Sequence, residues 1–395
     1  MRALFLTPFV PYPPVDGGRV RILQLMRAVA RRHDVELLTL SSGPDDREAV
    51  AALREEGFPT EAVEGGGSRV VAGARALLGR RSFYGARYRS AALARSLADR
   101  LEAGRHDVVQ AEYAYMGAYR PVGAAGRSVR WLLDEHNVEF DLNRTIAASG
   151  EGGLAYHLYA RRELPLRRRE ELAACAAADR VLAVSEEDAA VLRTAEPELD
   201  VAVVPNGVDL GFFRPDGEAS GGEGAVFVGK MDYRPNADGA AWFCREVLPL
   251  VRERLPGFGV KIVGHSPVPA VRELGDIDGV EVTGAVEDTR PYLRGALVVV
   301  VPLRAGSGTR LKVLEAFAMG RPVVSTTLGA EGIDAADGEH LRLADDPRGF
   351  ADRVVELAGS PEERARLAAA GRRLAEKRYG WDAIGDRLAD LYESA

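Results

Sequence analysis

Short apolar runs alternate along the chain with longer segments in which apolar residues recur every three or four positions. The runs are RALFLT, VELLTL, VVQAEY, RWLLDEH and VLAVS in the first half, and AVFVGK, VKIVGH, VEVTG, ALVVVVPL and PVVST in the second. Apolar runs of this length predict buried strands, and the periodic segments between them predict helices, one of them over residues 19–31. Because this alternation is typical of parallel βαβ units, the pattern predicts two doubly wound α/β sheets in series.

The stretch VAVVPNGVDLGFFRPDGEASGGEG, residues 201–224, separates the two halves. Its valine-rich strand ends in Pro-Asn-Gly, and a segment rich in Gly, Asp, Glu and Ser follows. Asn-Gly favours a turn, and the low-complexity segment suits an exposed loop. We place the domain switch at about residue 206, although a tight turn alone also explains PNGVD.

The last predicted helix, residues 381–392, has one apolar face, formed by Trp381, Ile384, Leu388 and Leu391. Such a face must be buried against another element. The periodicity leaves open whether this helix packs on the second domain or on the first.

Composition narrows the class of protein. A chain of 395 residues with 46% hydrophobic residues fits two domains better than one core. The net charge of −7 argues against a nucleic-acid binder. Its two cysteines, Cys175 and Cys244, form no CxxC pair, so we expect a reducing cytoplasm and no metal site. The proline-rich start and the lack of a long apolar segment predict neither a signal peptide nor a spanning helix.

In doubly wound sheets ligands bind beyond the carboxyl ends of the strands, so residues that follow strands are the first candidates. The segment PLRAGSGTRLKVLEAF, residues 302–317, follows four consecutive valines. Gly306 and Gly308 let the backbone approach a ligand, and the N-terminus of a helix predicted from Thr309 to Met319 favours an anion. Arg310 and Lys312 add positive charge. A glycine turn that joins a strand to a helix, with both cations solvated, also explains the pattern.

Two phosphate-binding motifs are missing from the sequence. It contains neither GxxxxGK[ST] nor a strand-linked GxGxxG, which argues against a P-loop enzyme and a nicotinamide enzyme. Glu315 lies one helical turn beyond Lys312, from where it can reach a ribose diol or form an ion pair with that lysine.

Several segments together resemble a known family. SGTRLKVLEAFAMGRPVVST, with VPNGVD, FVGKMDYRPNADG, IVGHSP and VTGAVEDTRPYL, resembles the donor half of a GT-B glycosyltransferase of family 4. DGGRVRILQLMRAVARRHDVELLT and LLDEHNVEFD resemble the acceptor-side half, so the likeness covers nearly the whole chain in order. It implies two Rossmann-like domains facing across a cleft: an acceptor domain over residues 1–206, to which residues 378–395 return, and a nucleotide-sugar domain over residues 207–377.

The resemblance also implies roles for individual residues. Glu315 would bind the nucleotide ribose, Lys230 would neutralise the diphosphate, and His136 would lie near the transferring carbon. Gly18 matches a glycine loop that closes over the diphosphate, and Val286 would border the base. The other predicted donor-binding residues are Gly17, Arg21, Asn206, Gly229, Gly264, Gly306, Ser307, Gly308, Thr309, Arg310 and Leu311. The predicted acceptor-side residues are Glu112, Tyr113, Asn137 and Glu139.

Two positions depart from the family pattern. Ser307 stands where the first glutamate of the E-x7-E element would be, and Asn236 stands where a second basic residue would follow Lys230. We expect Lys312 to replace the missing cation, and we count His136, Lys230, Lys312 and Glu315 as the catalytic residues.

The reaction that the resemblance implies is retaining, metal-independent transfer from a nucleotide-diphosphate sugar. Because no carboxylate stands out as a nucleophile, we expect attack on the same face of the sugar, with His136 polarising or positioning a group. A satisfied histidine at a strand end is the alternative for His136. Two rival functions also stay open: a sugar-nucleotide epimerase on the same fold and a non-catalytic nucleotide-sugar-binding protein.

The sequence says less about the acceptor, which can be a sugar, a glycolipid or a natural product. Residues 69–105 contain nine arginines but only two acids, interleaved with aromatic and leucine residues. Such a segment can rest on an anionic membrane at its inner face or guide an anionic acceptor, unless its arginines are simply solvated. We expect no nucleic-acid partner.

Overall fold

The computed structural model describes residues 1–65, 71–74, 76, 81–121, 129–141, 154–215, 222–305 and 310–394. The strands are β1 (Arg2–Thr7), β2 (Asp34–Ser41), β3 (Thr60–Glu64), β4 (Val108–Glu112), β5 (Arg130–Glu135), β6 (Arg180–Ala183), β7 (Val201–Val203), β8 (Ala225–Val228), β9 (Val260–Val263), β10 (Val280–Gly284), β11 (Val298–Val301), β12 (Val323–Ser325) and β13 (Arg342–Leu343).

The α-helices are α1 (Gly17–Val29), α2 (Asp46–Glu55), α3 (Phe83–Arg87), α4 (Ala91–Glu102), α5 (Ala114–Gly117), α6 (Leu154–Ala177), α7 (Glu186–Ala195), α8 (Arg234–Trp242), α9 (Leu248–Arg252), α10 (Pro269–Arg272), α11 (Arg290–Gly295), α12 (Leu311–Ala318), α13 (Pro347–Gly359), α14 (Pro361–Arg378) and α15 (Trp381–Glu393). A π-helical turn, Phe243–Val247, joins α8 to α9, and short 3₁₀ turns occur at Glu273–Asp276 and Leu328–Ala330.

The chain forms two compact units, Met1–Pro205 together with Ile384–Ala395, and Asn206–Ala383. The first contains seven parallel strands in the order β3-β2-β1-β4-β5-β6-β7. The second contains six parallel strands in the order β10-β9-β8-β11-β12-β13. In both sheets the order reverses beside the unit's first strand, which is the doubly wound arrangement. The predicted fold class is confirmed.

Strands inside each sheet are apolar on both faces. All four valines of β11 are buried, as are Ala3 to Leu6 of β1, because helices cover both sides of a parallel sheet. The two strands that the apolar pattern did not predict, β3 and β13, lie at sheet edges and are largely half-buried. An edge strand has fewer neighbours to bury it, so its sequence need not be apolar.

The final helix supplies residues to the first unit. The Tyr392 hydroxyl donates to Gln110 Oε1 at 2.5 Å, and the Arg32 guanidinium pairs with Asp390 and Glu393 at 2.6 and 2.8 Å. Gly385 lies directly against Ala28 of α1, so closely that a methyl group at Gly385 would overlap the Ala28 Cβ atom. The face that periodicity left unassigned is therefore buried in the first unit from residue 384 onward.

In the part of the chain that the structure describes, no helix combines the length and the apolar character needed to cross a bilayer.

Replacing Gly385 by Ala should destabilise the protein. Backbone atoms of Ala28 lie next to the new methyl group and cannot rotate away, so we expect a loss of about 1–3 kcal/mol in the free energy of unfolding, measured by urea denaturation. Gly359→Ala is the matched control, because a Cβ atom there meets nothing within 4 Å. Equal stability of the two variants would contradict the packing described.

Candidate functional site

Polar side chains gather at the carboxyl ends of β4 and β5 in the first unit. Glu112 ends β4 and pairs in register with Asp134 of β5, and His136 follows β5. His136 Nε2 lies 2.7 Å from Glu112 Oε2 and 3.7 Å from Asp134 Oδ2. All three side chains are buried. Adjacent parallel strands thus bring Glu112 together with two polar groups that lie 22 and 24 positions further along the chain.

Arg21 of α1 forms a buried bidentate ion pair with Asp134. Its Nε and Nη2 atoms donate to the two carboxylate oxygens at 2.8 and 2.7 Å. The same guanidinium donates to the carbonyl oxygens of Val204 and Pro205 at 2.9 and 3.1 Å. Burial opposes the charged form of Asp134, but the adjacent Arg21 outweighs it and lowers the pKa of Asp134. Arg21, predicted to bind the donor, instead uses these donor groups inside the first unit and is only 1% exposed.

A chain of hydrogen bonds reaches His136 from the final helix. Gln110, which accepts from the Tyr392 hydroxyl, donates from Nε2 to Glu112 Oε1 at 2.7 Å, and Glu112 Oε2 holds the imidazole. Burial raises the pKa of Glu112 well above its usual range, and the Asp134 charge adds to this. Burial lowers the pKa of His136 to about 3, so its imidazole is neutral at pH 7.

This cluster does not fit a metal ion. Glu112, Asp134 and His136 form a group of potential ligands, in the described part of the chain, whose ligand atoms lie within 4.8 Å of one another. The Asp134 oxygens are already paired with Arg21, and the Glu112 oxygens are bonded to Gln110 and His136. A cation would have to displace a guanidinium that already neutralises the site.

Tyr113 covers the imidazole. Its ring stacks on His136 with centroids 3.9 Å apart, and its φ of 71° is unusual for a residue with a side chain. Further rings continue the stack: Tyr115 lies 5.2 Å from Tyr113, and Tyr88 lies 4.5 Å from Tyr115. A Cβ atom at Gly18 would overlap the Tyr113 hydroxyl and lie 3.6 Å from His136 Nδ1. Gly18, Tyr113 and His136 are therefore brought together.

The other predicted acceptor-side residues lie in different surroundings. Glu112 is wholly buried and bonds to the imidazole of His136, and its predicted acceptor contact stays a prediction. Asn137 is half-buried beside His136. The Glu139 carboxylate accepts from Arg167 Nη1 at 3.1 Å. Gly17 is exposed at the first residue of α1.

In the second unit, the ends of β8 and β9 meet backbone to backbone. A Cβ atom at Gly264 would overlap the carbonyl oxygen of Gly229, so only glycine permits this approach. A Cβ atom at Gly229 would lie 2.7 Å from Asn236 Nδ2 and 3.0 Å from Lys312 Nζ. The two predicted glycines thus make room for the polar groups of Asn236 and Lys312.

Lys312 reaches Asn236, one of the two positions that depart from the family pattern. The Lys312 ammonium donates to Asn236 Oδ1 at 2.6 Å and lies 4.6 Å from the centre of the Phe227 ring. Asn236 Nδ2 in turn donates to the carbonyl oxygen of Lys230 at 2.9 Å. Burial, with a contribution from Arg310, lowers the pKa of Lys312 to about 7, and burial raises the pKa of Glu315 to about 7. A cation and an acid of matched pKa therefore lie in the first turns of α12.

The remaining predicted donor residues have varied surroundings. The Lys230 side chain is 47% exposed, 3.5 Å from Asp232. Arg310 is buried: its Nε donates to the Leu328 carbonyl oxygen at 3.3 Å, and its Nη2 lies 3.6 Å from Glu331.

Three more of these residues are described and four are not. Leu311 begins α12, Val286 packs against the core of the second unit, and the buried Asn206 begins that unit. Gly306, Ser307, Gly308 and Thr309 lie outside the described residues.

Sequence reasoning missed Gln110, Asp134 and Tyr115. Gln110 and Glu112 are polar residues two positions apart in an otherwise apolar strand, which places both on one face of the sheet. The alternating tyrosines of EYAYMGAY, just after that strand, were a second signal. Attention to polar positions inside buried strands would have found Gln110.

Gly18→Ala should destabilise the first unit because the new methyl group overlaps the Tyr113 hydroxyl, whose ring is held between His136 and Tyr115. We expect a loss of about 1–3 kcal/mol in the free energy of unfolding by urea denaturation. Tyr113→Phe removes the overlapping oxygen, so Gly18→Ala in that background should cost about 0.5 kcal/mol or less. Additive effects of the two changes would contradict the contact.

Comparison with known proteins gives the family of the chain. The model of "Glycosyltransferase Family 4" matches residues 15–212, half of the chain, and that of "Glycosyl transferases group 1" matches residues 222–360. A Mycobacterium tuberculosis protein, "Phosphatidyl-myo-inositol mannosyltransferase", is 30% identical over 209 residues, which are 49% of this chain and 54% of that protein. "D-inositol 3-phosphate glycosyltransferase" of Thermomonospora curvata is 32% identical over 255 residues, 56% of this chain and 58% of that protein. The chain therefore spans about half the length of the curated relatives it matches.

Solved structures extend the likeness to the whole fold. Anabaena HepE, crystallised in complex with UDP, superposes with a TM-score of 0.72 over 100% of both chains at 14% identity. Together with the two parallel sheets, this agreement identifies the fold as GT-B. On the family match to half of its length, the chain belongs to glycosyltransferase family 4.

Proposed function

We propose that this chain transfers a glycosyl group from a nucleotide-diphosphate sugar to an acceptor hydroxyl with retention of anomeric configuration. The observation that carries the proposal is the Lys312 ammonium, whose hydrogen bond goes to the neutral amide of Asn236. Glu315, one helical turn on, acts on it only through its charge, and among the described residues no carboxylate pairs with it directly; a half-buried cation without a direct partner is costly. A diphosphate bound here would supply the missing negative charge.

The surroundings of Lys312 fit the rest of such a donor. Lys230 is a second, more exposed cation. Its backbone carbonyl oxygen accepts a hydrogen bond from Asn236, the residue that also bonds to Lys312. Glu315 lies one turn beyond Lys312, where we expect it to bind the ribose diol. HepE, which shares the fold, was crystallised with UDP, and this supports a nucleotide-sugar donor for the present chain.

His136 acts, in this proposal, as a neutral polar contact. Its Nε2 is held by Glu112, and its Nδ1 is directed toward the Gly18 turn. With a pKa of about 3 the imidazole carries no charge at neutral pH, so it positions or polarises a group of the donor or acceptor and stores no proton.

Retention is what the family resemblance implies, and the carboxylates near His136 in the described residues are already engaged, Asp16 with Arg19 among them. Asp134 is paired with Arg21, and Glu112 is bonded to Gln110 and His136, so neither carboxylate is available for attack on a sugar. We therefore propose same-face attack, in which the departing diphosphate takes up the acceptor proton while the lysines stabilise its charge. Because the cluster at His136 does not fit a cation, we propose that the reaction needs no metal.

The acceptor and the biological role are proposals of the same kind. The names of both relatives contain an inositol derivative, so inositol phosphates belong among the acceptors to be tested. We propose a role in cell-surface polysaccharide, glycolipid or glycosylated natural-product synthesis, in the cytoplasm or at the inner face of the membrane. In residues 69–105, Arg100 is already paired with Glu36 and Glu61, whereas Arg69, Arg75 and Arg80 lie outside the described residues.

A thermal-shift screen of UDP-, GDP-, ADP- and dTDP-sugars tests the donor. One nucleotide class should raise the melting temperature at concentrations where the others do not, because a ligand that binds the folded state stabilises it by mass action. Transfer with that donor is then measured with inositol phosphates and sugar acceptors by mass spectrometry. If no nucleotide sugar stabilised the protein, the proposal would be wrong; donor binding without transfer, or conversion of the donor sugar without an acceptor, would favour a binding protein or an epimerase.

Moving the positive charge from Lys312 to Asn236 tests how the diphosphate is held. Lys312→Met should weaken binding of the nucleotide sugar about tenfold or more. Adding Asn236→Lys should restore much of that affinity, because the two side chains meet at 2.6 Å. If the double variant, folded as judged by its melting temperature, bound no better than Lys312→Met, the replacement of one cation by the other would be wrong.

The pH dependence of donor affinity tests the same lysine. A bound diphosphate favours the ammonium form, and the free Lys312 has a pKa of about 7, so donor binding above pH 7 must take up a proton. Calorimetry should show affinity that is steady below pH 7 and falls above it, by at most about tenfold per pH unit. Lys312→Met should remove the fall, and Glu315→Gln should keep it; both variants are needed because burial raises the pKa of Glu315 to about 7, so that it loses its proton over the same range. An unchanged fall in Lys312→Met would assign it to another group.

A further inference from the structure

The first unit contains a large cavity that the family match does not assign. It has a volume of about 1260 Å³ and lies between α3, α4, α5 and the second half of α6. Most small-molecule sites measure about 300–1,000 Å³, so this cavity has room for a body larger than one sugar. Tyr115 lines it and stacks on Tyr113, which stacks on His136, so one aromatic ring separates its wall from the imidazole.

The walls of the cavity are more apolar than polar and consist largely of small side chains. Alanine is the commonest lining residue, contributed by four helices and the segments that flank them, and four tyrosines supply the larger surfaces. Small side chains on opposite walls leave a wide space, whose lining also includes polar residues such as Ser82, Ser90 and Glu139. A ligand that fills this space must therefore present an apolar body.

The charged residues that line the cavity are mostly committed to protein partners. Glu170 bonds to Ser82, Glu171 accepts from the backbone N–H groups of Glu139 and Phe140, and burial raises the pKa of Glu171 to about 8. Arg167 pairs with Glu139, and Arg120 pairs with Asp179. The carboxylates of the cavity thus add little free negative charge.

Arg81 and Arg89 differ from these residues. Both line the cavity, both are exposed, and within the described part of the chain neither forms an ion pair with a carboxylate. Their charge favours an anionic group on whatever occupies the cavity.

We infer that this cavity binds an amphiphilic acceptor, with an apolar body among the alanines and tyrosines and an anionic group, such as a phosphate or a carboxylate, at Arg81 and Arg89. The inference rests on the proposed function, since it names the acceptor class for that transfer. A single amphiphile taken into the cavity and a membrane surface of the same lipids share this chemistry, and the experiment separates them.

Calorimetry of the full chain with alkyl phosphates below their aggregation concentration tests the cavity. Hexyl, octyl and decyl phosphate should bind with affinity that rises about fourfold per methylene, and inorganic phosphate should bind far more weakly. Octyl glucoside, which has the same chain without the charge, should bind about tenfold more weakly than octyl phosphate. Equal affinity for inorganic phosphate and octyl phosphate would overturn the inference.

Matched variants locate the ligand. Ala173→Trp fills the cavity from α6 and should weaken both octyl ligands at least tenfold, whereas Ala176→Trp, exposed on the same helix but outside the cavity, should change neither. The double change Arg81→Ala and Arg89→Ala should remove the preference for the phosphate, and Arg95→Ala, exposed on α4 outside the cavity, should leave it intact. Equal effects within either pair would overturn the inference.

Two further measurements separate this inference from the proposed function. Vesicles of phosphatidylcholine with an anionic lipid serve as the membrane probe. If the protein bound these vesicles but not monomeric octyl phosphate, binding inside the cavity would be wrong and binding at a membrane surface would replace it. Thermal shift with the nucleotide sugar is run on the same variants. Donor binding unchanged by Ala173→Trp, with octyl phosphate binding lost, supports the inference, whereas donor binding with no octyl phosphate binding in the unchanged protein refutes the inference alone.

Discussion

The buried ion pair between Arg21 and Asp134 is the constraint on which the first unit depends. It joins α1 to β5 and, through two carbonyl oxygens, to residues 204 and 205, where the first of that unit's two segments ends. Losing one partner of such a pair leaves an uncompensated buried charge, at a cost of about 3–5 kcal/mol. Because Asp134 stays ionised, a second negative charge at Glu112 is unfavourable, and the carboxyl that holds His136 is kept neutral. Arg21 thus keeps Asp134 ionised, and burial is the main reason that Glu112 and His136 are neutral.

The second unit handles charge in the opposite way. Its Lys312 is partly buried without a carboxylate partner among the described residues, and its pKa lies close to neutrality. The cluster around His136 is therefore electrostatically complete among the described residues, whereas Lys312 in the second unit is a cation that an anion would stabilise. This difference is the physical basis for assigning the diphosphate to the second unit.

The sequence predicted the fold well wherever burial decides residue type. The central strands were recognised because parallel strands covered on both faces must be apolar, and β3 and β13 were missed because edges escape that requirement. Gly18, His136 and Lys312 were selected as candidate site residues because each comes after a strand in the sequence, and their roles stay predictions. Their partners were harder to predict: nothing local to Arg21 reveals that a carboxylate 113 positions away neutralises it. The Lys312–Asn236 bond could be predicted only because the family pattern has a basic residue where this chain has Asn236, and Lys312 is an additional cation.

The hydrogen bonds that run from Tyr392 through Gln110 and Glu112 to His136 also bear on how the protein is made. Domains generally fold as units during synthesis, the N-terminal one first. Here the first unit takes its last twelve residues from the far end of the chain, so all 178 residues of the second must be synthesised before it can be completed. Until then Gln110 lacks its tyrosine partner and Ala28 its glycine neighbour. The nascent first unit therefore stays incomplete until the second unit has emerged from the ribosome.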